Sequence, residues 1–90
     1  MSLPGSELVD EGLADLRAGR LTASALLIAA ASSRLRAVGV DVPQTDVGDA
    51  WHRLYALLAE EDAATAHGRH NALVRRLVSF VRSAGHAPAA

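Results

Sequence analysis

From Asp62 to Ala84, apolar or part-apolar residues return at alternating steps of four and three: Ala66, His70, Leu73, Leu77, Phe80 and Ala84. That spacing predicts one face of a long helix, with a histidine inside it. Val74, Val78 and Val81 widen the stripe to an arc of about 160°, more than one neighbouring helix covers. Either this helix is central, or part of its face meets another subunit.

The same periodicity predicts three earlier helices. In the first, Leu8, Val9, Leu13 and Leu16 share an arc with Gly12, where a second helix can approach closely. Ser6 stands as its cap, Glu7, Asp10 and Glu11 place negative charge in the first turns, and Arg17, Gly19 and Arg20 supply the stop. The second helix should begin at a Thr22 cap, with Leu21 and Leu26 as a hydrophobic staple. It should end at Gly39 in a left-handed cap, with Val40 placed against Leu35, and Pro43 prevents its resumption. Its first half is apolar almost all round, which predicts a central position.

In the third helix, capped by Asp46, the inward stripe is Val47, Trp51, Leu54 and Leu58. The run Glu60-Glu61-Asp62 suits a helix N-terminus better than a C-terminus and is read as starting the fourth helix, so the last two helices form a hairpin; one continuous helix, which the absence of Pro permits, is the alternative. The prediction is all-α: an antiparallel bundle of four helices over about residues 6–19, 22–38, 46–60 and 63–84, making one domain of residues 1–84 with a flexible tail over 85–90.

Composition narrows the chemistry. Ninety residues with one Trp, one Tyr and one Phe must build a core from Leu, Val and Ala. Without cysteine there are no disulfides, thiol nucleophiles or Cys-based zinc sites. A net charge of -1 gives no general attraction to nucleic acid or anionic lipid. The apolar run Ala25 to Ala31 is far short of the roughly 20 residues that span a bilayer, and a cytoplasmic, membrane-free protein is expected. The arginines of the fourth helix, Arg69, Arg75, Arg76 and Arg82, split to both sides of its apolar stripe, as solvated edges do.

Two pairs have metal-ligand spacing, Asp49-x-x-His52 and His67-x-x-His70. On the wheel, Asp49 and His52 point away from their helix's apolar stripe while His70 lies within its own, so the four do not converge. His67 and His70 remain as a two-ligand candidate for a divalent metal or small ligand, and the bland alternative for His70 is a core or interface histidine held by a hydrogen bond. Asn71, one turn from His67, is most simply a partner for a neighbouring group. The segment Ala66-His67-Gly68-Arg69-His70 lacks the basic residue and glycine that follow the accepting histidine of phosphotransfer domains. No phosphate loop, nucleophile elbow or Glu-x-x-His pair is present.

The sequence therefore leads to a small non-catalytic helical protein that works by association, as a homodimer or with a protein partner. Leu73, Val74, Leu77, Val78 and Val81 are its expected interface, and a metal- or ligand-binding bundle using His67 and His70 is the alternative.

Overall fold

The computed structural model describes residues 3–44 and 47–86, and among these every regular element is helical. The helices are α1 (Ser6–Arg17), α2 (Ala23–Ala30), α3 (Ser32–Ala37), α4 (Ala50–Glu61) and α5 (Ala66–His86). The all-α prediction holds. α1 packs on α2, α2 on α4, α4 on α5, and α5 returns to α1, while the short α3 stays with α2. Among the described residues no helix is long and apolar enough to cross a membrane.

The core is centred on α2, as its apolar girth requires. Ala25, Leu27 and Ile28 have no exposed surface, and they meet Leu8, Val9, Leu13 and Leu16 of α1 and Leu54 and Leu58 of α4 in one cluster. Leu77 and Phe80 of α5 complete it. The α1–α2 contact is tight at Gly12, whose position leaves no room for a Cβ beside Ile28 and the Ser24 carbonyl.

The helix ends follow local chemistry. After α1 the Gly19 amide donates to the Leu16 carbonyl at 3.1 Å and the Arg20 amide to the Asp15 carbonyl at 2.8 Å, with Gly19 at φ 77°. After α3 the pattern repeats, Gly39 to Arg36 and Val40 to Leu35, both at 3.0 Å, with Gly39 at φ 90°. Both are Schellman closures, which need the left-handed residue that glycine supplies without strain. In the first, the usual apolar contact is replaced by a charged one. Asp15 takes the Arg20 guanidinium at 3.1 Å and the Thr22 hydroxyl at 2.7 Å, while the Thr22 oxygen accepts from the Ala25 amide at 3.2 Å and caps α2. These bonds to Thr22 and then to Arg20 hold the Asp15 carboxyl below its ordinary pKa.

Several boundaries differ from the prediction. The helix expected over 22–38 is interrupted at Ala31 (φ -100°, ψ 15°), just before Ser32-Ser33. Ser6 is not the cap of α1; that position falls to Gly5, a Cβ on which would lie 2.6 Å from the Arg76 carbonyl oxygen. Glu60 and Glu61 end α4 instead of starting α5. Asp62 leaves the helix at φ -161°, ψ 101°, and its carboxylate accepts from the Ala64 amide at 3.1 Å, so the hairpin turn is built by one acid and not three. The hairpin itself is present. Helix α5 continues through Gly85 and His86, which the prediction gave to the tail; residues 87–90 and the predicted cap Asp46 lie outside the described residues.

Candidate functional site

The predicted chemistry collects where α4 lies against α5. On α4, Leu54 and Leu58 are fully buried, whereas Val47, predicted inside this helix, lies before its start at Ala50 and packs on the core from a half-buried position. Trp51 does not join that inward stripe: it is 39% exposed, and Tyr55, four residues on, is 40% exposed. At about 100° per residue, Trp51 and Tyr55 stand roughly 60° and 100° round the helix from Leu54, on the shoulder beside α5. Leucine fills the narrow space between α4 and α2, and the large rings take the wet edge.

His70 meets them from α5. Its ring centroid lies 6.1 Å from that of Trp51 at an interplanar angle of 63°, and 5.6 Å from that of Tyr55 at 60°. These are edge and tilted aromatic contacts within the favourable range of separations. His70 is half-buried and is thus held by two rings, not by the hydrogen bond expected for a core histidine. His67, three residues earlier, is exposed, and its Nε2 lies 3.2 Å from the Asn71 amide nitrogen. An amide nitrogen only donates, so in this contact Nε2 is the acceptor.

As a metal site the pair is incomplete. Among the described residues no three His, Asp or Glu side chains are grouped to hold an ion, and a metal on His67 Nε2 would displace Asn71. Asp49 and His52 are exposed on α4.

The five residues predicted for an interface divide. Leu77 is 1% exposed and belongs to the chain's own core. Leu73 and Val81 are half-buried and pack against that core. Val74 and Val78 are half-buried outside the set that packs on it. One and two turns beyond His70, they prolong the aromatic shoulder along α5.

These residues define a seam: Trp51 and Tyr55 around His70, with Val74 and Val78 following His70 at steps of four along α5. The wheel had put Trp51 inside and gave Tyr55 no role, although a Trp and a Tyr one turn apart in a chain with one of each was the available signal. A second missed signal is the distribution of charge, since no Asp or Glu occurs after Asp62. Comparison of the chain with protein-family models, with curated proteins and with solved structures finds no match in any of the three.

Proposed function

We propose that this protein acts without catalysis, by association, and that the α4–α5 seam is its contact face. The observation that carries the reading is the exposure of Trp51 and Tyr55 side by side across His70. Aromatic side chains offer large contact area at small conformational cost and are enriched at the centres of interfaces. Val74 and Val78 extend the same surface with side chains already half removed from water.

The partner expected from the sequence is a second copy. Absolute mass by light scattering over a concentration series, on wild type and on Val78→Asp, tests both face and partner. Two chains in the wild type and one in a folded variant support a homodimer through the seam. One chain in the wild type throughout removes the homodimer and leaves a different protein as partner. A dimer that Val78→Asp leaves intact would place the contact elsewhere and overturn the reading.

A further inference from the structure

The α5 side of the seam carries charge of one sign. Residues 63–90 contain four arginines and no acid, whereas residues 1–62 hold ten acids against five arginines. One of the four is paired with an acid, and another lies beside the start of α1. Arg69 lies 3.6 Å from Glu61 across the hairpin, and Arg76 lines a depression of about 130 Å³ with Leu3, Gly5, Ser6 and Glu7 at the start of α1. Arg75 and Arg82 are exposed, and among the described residues neither has a carboxylate within 4.0 Å. They stand three residues before and four after Val78, so on a helix both are its surface neighbours.

Resting on the seam as the contact face, we propose that its occupant is an acidic amphipathic helix of another protein. The apolar stripe of that helix covers Trp51, Tyr55, Val74 and Val78, and its carboxylates meet Arg75 and Arg82. Helix-on-helix docking of this kind combines apolar anchors at helical spacing with a charged rim that fixes partner choice. A second copy is the poorer occupant. Antiparallel pairing of α5 with itself about a two-fold axis brings the Arg75 and Arg82 rims of both chains to one side, where like charges oppose each other. A lipid surface is recognised by clusters of about 4–8 basic residues, and this rim has two on a chain of net charge -1.

Trp51 is the sole tryptophan, so its emission reports on the seam directly. The probes are three synthetic amphipathic helices of about 18 residues, five turns, sharing one leucine stripe and flanked by Glu, Gln or Lys. The Glu-flanked peptide should shift Trp51 emission to the blue and saturate, binding at least about tenfold tighter than the Gln-flanked one at low salt. Arg75→Glu with Arg82→Glu, both exposed positions, should reverse the preference toward the Lys-flanked peptide. Equal affinity for Glu and Gln peptides, lost in a folded Val78→Asp variant, would keep the seam and overturn the acidic partner. Undiminished binding of the Glu peptide by Val78→Asp, or no response of Trp51 to any peptide, would overturn the seam as well. A shift with phosphatidylserine vesicles and none with peptides would assign the rim to lipid and refute the proposal.

Discussion

Gly12 of α1 lies so close to Ser24 of α2 that a Cβ on the glycine would stand 2.6 Å from the Ser24 carbonyl oxygen. The helices touch there backbone to backbone, which lets Leu8, Val9, Leu13 and Leu16 reach the fully buried Leu27 and Ile28. Gly12→Ala gains about 1 kcal/mol of helix propensity and must force the two backbones apart, an overpacking cost of about 1–3 kcal/mol. The backbone clash should win. The variant should melt lower than wild type by several degrees, as followed by circular dichroism; a higher melting temperature would mean that α1 and α2 are further apart than described.

Asp15 ties the α1–α2 turn through its side chain. Because its folded carboxyl titrates below its ordinary value, its contribution is fully present above the unfolded pKa and is lost as pH falls through the folded one. Melting temperature should therefore fall as pH drops below the ordinary carboxylate range, with part of that fall absent in Asp15→Asn. Thr22→Ala removes both the cap of α2 and a donor to Asp15, and should cost about 1 kcal/mol. Thermal melts of the two single variants and the double variant check the coupling: the double should lose less than the singles combined.

Leu77 and Val78 are adjacent in sequence and opposite in consequence. Leu77→Ala empties a site 1% exposed and should cost about 2–5 kcal/mol. Val78→Asp, on the half-buried shoulder, should cost about 1 kcal/mol, keep a cooperative melt, and remove association. Denaturant titration together with titration of the Glu-flanked peptide separates the two effects.

His67 and His70 are spaced like a ligand pair, but one nitrogen of His67 is met by Asn71 and the His70 ring is flanked by Trp51 and Tyr55. Zinc should leave the melting temperature unchanged. A rise with zinc that disappears in His67→Ala with His70→Ala would establish the metal-binding alternative.

The parts of the fold legible in the sequence were those set by local chemistry. Thr22, Gly39 and the apolar run of α2 fixed that segment's outer ends and its central place, and Gly12 marked a close helix approach. The break at Ala31 carries no Gly or Pro to mark it. The acids at the hairpin misled because dipole reasoning treats Glu60, Glu61 and Asp62 alike, whereas only Asp62 has a side chain short enough to bond the turn's own backbone. For the site, periodicity found α5 and its shoulder but not which side of α4 carried the rings. Wheel position alone does not say that leucine, and not tryptophan, fills a narrow gap.

The central claim is that the seam is a contact face, and amide chemical-shift mapping of the isotopically labelled protein against the Glu-flanked helical peptide tests it most directly. The account predicts perturbations centred on Trp51, Tyr55, His70, Val74 and Val78, with the indole N–H of Trp51 among the largest and α1 and α2 unaffected. Perturbations centred on α1 or α2, or none at saturating peptide, would contradict it.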